Sequence, residues 1–288
     1  MLEVYYSILD GKEKSRYIKN KELFNSLIDE VEKIYENCQL CEHLCKINRY
    51  KKAGKCRVIE TSIASNFFHY GEERMLIPSY TIFFSGCNFK CVYCQNWDIS
   101  QRHVGFYIEP EKMAEMIDDA YAKAKNVNWV GGEPTPNLLY ILRVLNKCSK
   151  NIPQIWNSNM YCSEKTMNIL KYFIDVYLTD FKYGNNECAE KLSRVKNYWE
   201  IVTRNHKIAY RQGEIIIRHL ILPNHVECCS KPVMDWISEN VPHALVNIMD
   251  QYYPTYKANE YEEINRRITV EEYQEIIEYA KKLNINAL

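Results

Sequence analysis

Thr81-Ile82-Phe83-Phe84-Ser85-Gly86-Cys87-Asn88-Phe89-Lys90-Cys91-Val92-Tyr93-Cys94-Gln95-Asn96-Trp97 sets three cysteines, spaced C-x3-C-x2-C, directly after an apolar run of strand character. A strand ending in such a loop delivers three thiolates to one small volume. That is enough to hold three irons of a cubane [4Fe–4S] cluster, whose irons normally take thiolate ligands, and with no fourth cysteine nearby one iron stays open. The competing readings are a zinc site and buried free thiols. Structural zinc sites nearly always fill four positions, usually from paired knuckles, and this loop offers three. Cys87, Cys91 and Cys94 are therefore read as iron–sulfur ligands and as the catalytic centre.

Downstream of this loop, apolar runs alternate with amphipathic ones. Strands are expected over Ser79 to Phe84, Val127 to Val130, Ile152 to Trp156, Ile174 to Leu178, Ile215 to Leu222 and Leu245 to Met249. Helices are expected over Glu109 to Ala124, Pro136 to Cys148, Ser163 to Phe173, about Asn186 to Tyr210, Lys231 to Glu239 and Val270 to Leu283. Periods of 2 and 3.6 distinguish the two, and Ser163 is a suitable N-cap. Strands alternating with helices imply right-handed crossovers and a parallel sheet. Periodicity alone allows an open sheet or a barrel. The polar residues decide, because Cys87, Glu133, Asn157, Ser158, Asn159, Asp180, Lys182, Arg218, Asp250 and Gln251 all fall at strand ends. Convergence on one mouth suits a barrel-like sheet, where active sites gather at the C-terminal face.

Upstream, an amphipathic helix is expected through Leu23, Leu27, Val31 and Ile34, followed by Cys38, Cys41, Cys45 and Cys56 in a C-x2-C-x3-C-x10-C pattern. Four thiols at such spacing form a full metal complement, either structural zinc or an auxiliary iron–sulfur cluster. The expected fold is thus α/β, a partial (β/α)6 TIM-like barrel over residues 75–288, with a small N-terminal cysteine-rich metal-binding lobe and its helix over 1–74.

Composition narrows the function further. Lys+Arg and Asp+Glu both number 37, so there is no bulk electrostatic footprint for nucleic acid or an anionic membrane. There is no signal-peptide pattern and no apolar run long enough to span a bilayer, which reads as cytoplasmic. In that setting twelve cysteines are ligands and reduced thiols rather than a disulfide framework. Cys188, Cys228 and Cys229 lie outside both clusters; with His225 they are either a further metal site or small buried hydrophobes.

With these motifs in place, the chain from about Ser79 to Asn286 resembles the radical SAM enzymes, especially the activating enzymes of glycyl radical enzymes such as pyruvate formate-lyase activating enzyme. The order C-x-L-C-E-H-x-C, H-Y-G-E-E, T-I-F-F-S-G-C, C-Q-N, R-H-L-x-L-P and Q-Y-x-P is similar to a branch of activating-enzyme homologues with an N-terminal four-cysteine motif. The resemblance implies that Cys87, Cys91 and Cys94 bind a [4Fe–4S] cluster whose open iron is chelated by S-adenosylmethionine. Reduction of the cluster then cleaves the sulfonium to a 5′-deoxyadenosyl radical. It places Tyr93 near the adenine, Gly131, Gly132 and Glu133 at the methionyl amine, and Asn157, Ser158, Asp180, Lys182 and Arg218 on the cofactor or substrate. Asn157 stands where an aspartate is usual. The implied partners are an electron donor such as flavodoxin or ferredoxin and a protein substrate.

Overall fold

The computed structural model describes Leu2–Leu288. Three helices open the chain: α1 (Glu3–Leu9), α2 (Arg16–Lys19) and α3 (Phe24–Glu36). After the cysteine-rich coil come β1 (Ile63–His69), β2 (Ser79–Phe84), α4 (Trp97–Ser100), α5 (Pro110–Ala120), β3 (Asn126–Gly131), α6 (Leu138–Leu145) and β4 (Gln154–Ser158). Then follow α7 (Glu164–Leu170), β5 (Val176–Asp180), α8 (Asn186–Ser193), α9 (Tyr198–Gln212), β6 (Glu214–Leu220), α10 (Lys231–Asn240), β7 (Leu245–Met249), α11 (Val270–Lys282) and β8 (Asn286–Ala287). The strands form one sheet in sequence order, parallel from β2 to β8, with β1 antiparallel to β2 at one edge. Among the described residues β1 and β8 are not paired to each other, so the sheet is a partial barrel.

The six expected strands are β2 to β7, and two of them, β2 and β7, match residue for residue. The edge strands β1 and β8 are additions. β1 lacks a clean alternation of buried and exposed positions, and β8 has two residues. β1 lies upstream of residue 75 yet belongs to the same sheet as the barrel strands. The helical region from Asn186 is two helices, because Arg194 and Asn197 take the left-handed conformation at φ 60° and 50° and end one helix before the next begins. Ser163 caps α7 as expected, its hydroxyl accepting the Thr166 N–H.

Strand periodicity sorts the core into two parts. Trp129, Trp156, Tyr177, Ile215 and Ile217 face the helices. Ile155, Val176, Leu178, Ile216 and Leu245 face inward and meet Leu2, Tyr5 and Leu76. Two residues further along β4, β5, β6 and β7 the inward positions become Asn157, Asp180, Arg218 and Asn247. The lumen is therefore apolar at the bottom and polar at the mouth.

Helix α1 plugs the bottom. Its first backbone N–H groups have no intrahelical acceptor, and Leu2 at the cap position supplies no side-chain oxygen. Instead the Glu214 carboxylate, at the start of β6, accepts from the N–H groups of Val4 (3.0 Å) and Tyr5 (2.8 Å). Replacing a side-chain cap with alanine costs about 0.5–2 kcal/mol. Glu214→Ala is expected to lower the denaturant midpoint by a corresponding amount, while Glu214→Gln, which keeps one acceptor oxygen, should lose less.

Candidate active site

At the mouth lies a cavity of about 470 Å³. It is lined by Cys87, Cys91, Tyr93, Cys94, Gly131, Gly132, Glu133, Asn157, Ser158, Asp180, Lys182 and Arg218. The structure thus gathers the strand-end residues of the sequence reading around the three-cysteine loop, apart from Asp250, which does not line the cavity. It adds Glu72, Glu73, Asn247 and Ser100, among others. Glu72 and Glu73 belong to the H-Y-G-E-E motif, whose turn-like sequence gives no sign that it folds back into the lumen.

The cysteine loop leaves the end of β2. Cys87 is buried, receives the Phe89 N–H at 3.3 Å and lies 3.8 Å from the Asn159 amide nitrogen. Cys91 Sγ meets Ser193 Oγ at 2.9 Å, and Cys94 Sγ meets Ser100 Oγ at 3.2 Å. Burial pushes the Cys87 thiol well above its ordinary value, with Glu133 adding to the effect. Burial also raises Cys91, against the pull of the nearby Lys182 ammonium. Such thiols ionise on taking up metal, which replaces the proton. From Cys91 a hydrogen-bonded chain runs through Ser193 to the Tyr183 hydroxyl (2.5 Å) and on to the Tyr93 hydroxyl (2.7 Å), which fixes the Tyr93 ring at the cavity wall.

Gly131 and Gly132 have a packing role as well as a cavity-lining one. A Cβ on Gly131, at φ +115°, would come within 2.0 Å of the Phe84 backbone nitrogen, and one on Gly132 within 2.1 Å of the Gly86 carbonyl oxygen. Only residues without a side chain let β3 pass this close to the strand carrying the cysteines. The next residue, Glu133, is buried, and its carboxylate accepts from Ser158 Oγ (2.7 Å), Thr135 Oγ1 (2.5 Å) and the Asn159 N–H (3.1 Å). Burial raises its pKa, and these donors oppose the rise.

Lys182 Nζ donates to Asp180 Oδ2 at 2.8 Å. Burial opposes the ammonium, but Asp180 and Cys91 outweigh it and hold Lys182 above its ordinary value. Arg218 is committed to protein partners. Its Nε and Nη2 donate to the two oxygens of Glu73, each at 2.8 Å, and Nη2 also bonds Glu72. Asn247 adds a donor to Glu73 at 2.9 Å. At the end of β7 Gln251 lines the cavity, while Tyr252 is buried against the Tyr93 ring.

The four N-terminal cysteines pack against the outside of this loop. Burial raises the Cys38 and Cys41 thiols, and Cys45 and Cys56 lie close enough to add to the rise in both. His43 Nε2 hydrogen-bonds the Asn88 carbonyl at 2.7 Å, and the backbone of Cys41 pairs with that of Cys162 in an isolated antiparallel β-bridge. Beside them Arg49 is buried over the Tyr35 ring, 4.4 Å from its centroid, and donates to the carbonyls of Pro136 (2.7 Å) and Val58 (2.8 Å).

An open barrel of parallel strands with a three-cysteine loop at its mouth defines an iron–sulfur enzyme of the radical-generating class. Residues 81–237, more than half of the chain, match the radical SAM superfamily. The chain is 50% identical over 279 residues to the uncharacterized protein MJ0674 of Methanocaldococcus jannaschii, covering 94% of this chain and 82% of that one. Among solved structures it is similar to SuiB of Streptococcus suis bound to S-adenosylmethionine (TM-score 0.54, 16% identity, 70% of this chain and 47% of that one). It is also similar to methylornithine synthase, PylB (TM-score 0.51, 13% identity, 99% of this chain and 78% of that one). It spans about half the length of SuiB, and at these identities the likeness is one of fold. The chain belongs to the radical SAM superfamily, and is a radical enzyme whose family cofactors are a [4Fe–4S] cluster and S-adenosylmethionine. No helix among the described residues is long and apolar enough to cross a membrane.

The Arg218 network predicts an acid limb in stability. Burial alone would raise Glu73, but Arg218 and Asn247 hold it below its ordinary 4.5. A depressed carboxyl stabilises the fold fully above the unfolded value and loses that contribution as pH falls through the folded one. Removing one partner of a buried ion pair costs about 3–5 kcal/mol. Arg218→Met is expected to lose stability on that scale at pH 7 and to show a shallower decline than the parent below pH 4.5, both read from denaturant unfolding across pH.

Proposed function

We propose that this chain reductively cleaves S-adenosylmethionine and abstracts hydrogen from a glycine of a partner protein, in the manner of the activating enzymes that its sequence resembles. The observation that carries the reading is the gathering of Cys87, Cys91, Cys94, Asp180, Lys182 and Asn157 around one cavity. The donor set fits the cofactors. Three thiols face the cavity and no fourth cysteine lines it, which suits a cluster with one open iron. The buried Asn157 amide nitrogen lines the same cavity and has no hydrogen-bond partner, which suits a polar ligand. When bound, the cluster supplies the electron that splits the sulfonium and generates the radical.

The chain's own residues bind and orient. Cys87, Cys91 and Cys94 hold the cluster, with Ser193 and Ser100 donating to two of the sulfurs. Lys182, kept protonated by Asp180, answers the methionyl carboxylate by charge-assisted hydrogen bonding. The Glu133 carboxylate accepts from the methionyl ammonium, the Asn157 amide donates to the cofactor, and Tyr93 packs on the adenine. Arg218 acts through Glu72 and Glu73, which border the space left for substrate. Flavodoxin or ferredoxin is the proposed electron donor and the cytoplasm the proposed location.

The N-terminal cysteines are proposed as a second metal centre. The supporting observation is Arg49, a buried cation with no carboxylate partner, whose charge is favoured by Tyr35, Cys56, Cys38 and Cys41 against the cost of burial. A buried charge needs a counter-charge, and metal-bound thiolates provide one.

Anaerobic reconstitution tests the main reading. With a strong reductant the parent should release 5′-deoxyadenosine from S-adenosylmethionine, and Cys87→Ala should release none; unchanged release would remove the cluster assignment. Losing a charged hydrogen bond costs about 1.5–3 kcal/mol, so Lys182→Ala should weaken S-adenosylmethionine binding roughly 10- to 100-fold. Deuterium passing from an α-deuterated glycine of a candidate partner into 5′-deoxyadenosine supports the glycyl assignment. Transfer from a peptide or small molecule instead would reassign the substrate, and iron binding without any cleavage would indicate an electron carrier. Metal analysis of a Cys87→Ala/Cys91→Ala/Cys94→Ala variant, with and without Cys41→Ser, should show metal lost with Cys41. Iron there marks an auxiliary cluster, and zinc a structural site.

A further inference from the structure

We propose that Cys188, Cys228, Cys229 and His225 form a mononuclear zinc site, separate from both cysteine clusters above and independent of the radical chemistry. The four residues come from two segments 36 residues apart in sequence, so spacing alone does not pair them. The fold does. Cys188 lies in the first turn of α8, and Cys228 and Cys229 lie in the π-helical turn Val226–Ser230 that leads into α10.

Cys188 Sγ is 3.8 Å from Cys228 Sγ, and Cys228 Sγ is 3.9 Å from Cys229 Sγ. The ligand atoms of Cys188, His225 and Cys228 all lie within 4.8 Å of one another, and Cys229 adjoins this trio through Cys228. A tetrahedral zinc with Zn–S bonds of about 2.3 Å has an S···S edge of about 3.8 Å. Both of these sulfur pairs are therefore already separated by the edge of that tetrahedron, whereas a cubane puts each cysteine on a different iron and spreads them further. Three thiolates and an imidazole complete a closed structural zinc set.

The surroundings position these ligands. His225 Nδ1 is 2.8 Å from the Pro223 carbonyl, which can only accept, so Nδ1 carries the hydrogen and Nε2 keeps its lone pair for a metal. The loop before His225 is pinned by the Asn224 N–H donating to Glu272 (2.7 Å) and the Asn224 side chain donating to the Glu263 carbonyl (2.8 Å). Asn185 joins the two segments. Its side chain accepts the Cys188 N–H (2.8 Å) and donates to the Cys228 carbonyl (2.7 Å). Gly184 lets them approach, since a Cβ there would meet the carbonyl oxygens of both Cys228 and Cys229 at 2.8 Å. The π turn has a role too. In a regular α-helix adjacent residues point about 100° apart, and local widening to a π turn, common at functional sites, lets Cys228 and Cys229 share one centre.

The site has a structural consequence at the cavity. α8 begins at Cys188's turn and ends at Ser193, whose hydroxyl hydrogen-bonds both Cys91 Sγ and the Tyr183 hydroxyl. Five residues of helix rise about 7.5 Å. A metal clamping the start of α8 to α10 therefore holds the far end of the same helix against the three-cysteine loop.

Anomalous diffraction on crystals of the unaltered full-length protein, collected above and below the zinc edge, tests the proposal directly. A zinc peak bonded to His225 Nε2 and the three sulfurs is expected; an iron peak, a Cys–Cys disulfide or bare thiols at that position would overturn it. In solution, Cys228→Ser and His225→Asn should each lower bound zinc by one equivalent relative to the parent, measured by elemental analysis beside a circular dichroism check of folding. Cobalt loaded into the parent should give thiolate-to-cobalt charge transfer and tetrahedral d–d bands that weaken in both variants. Zinc content unchanged in folded Cys228→Ser and His225→Asn would sink the assignment, whatever the outcome of the S-adenosylmethionine assay.

Discussion

A barrel that does not close needs something to hold its lumen together, and here that is the buried ion cluster of Arg218 with Glu72 and Glu73. β1 and β8 do not pair, so backbone hydrogen bonds cannot join the sheet's ends. Glu73 spans the interior instead, taking two hydrogen bonds from β6 through Arg218 and one from β7 through Asn247. Glu72 takes another from Asn128 on β3 at 2.9 Å. The turn after β1 thus ties opposite sides of the curved sheet at mid-height. Below it the lumen is filled by Leu2, Tyr5 and Leu76, and above it the cavity remains open.

That arrangement bears on how the site works. Radical chemistry requires that water and oxidisable groups be kept from the reacting centre. The lumen is plugged from below by Leu2, Tyr5 and Leu76, and Arg218 within it is neutralised by two carboxylates. Lys182 and Asp180 face that mouth as a pair, so the cationic group nearest Cys91 is held in place before any ligand arrives. Preorganised charge of this kind contributes more in a low-dielectric cavity than it would in water.

The polar mouth was legible in the sequence because parallel strands have a strict period of two and all end on one face. Once Ile216 is inward, Arg218 must be inward as well, and the same rule brings Asn157 and Asp180 to the cavity. The role of Arg218 was not legible. Its guanidinium was expected to reach the cofactor or substrate, whereas in the structure it is bound by the Glu72–Glu73 turn, a partner 145 residues distant in sequence. β1 also escaped detection, since an edge strand buried unevenly leaves no alternating pattern.

By itself the sequence determined the three-cysteine loop, the six βα units and the identity of the polar residues at the strand ends. These depend on local spacing, hydrophobic period and the fixed hand of βα crossovers. Only the tertiary structure decided which distant residues share a volume. It showed that Gly131 and Gly132 are needed for close packing of β3 on the cysteine strand, and that Arg49 lies beside the N-terminal thiols. It also brought Cys188 to within sulfur contact of Cys228. The physical reason is that such contacts depend on how the helices and turns pack over the sheet, and neither a period nor a short-range motif encodes that.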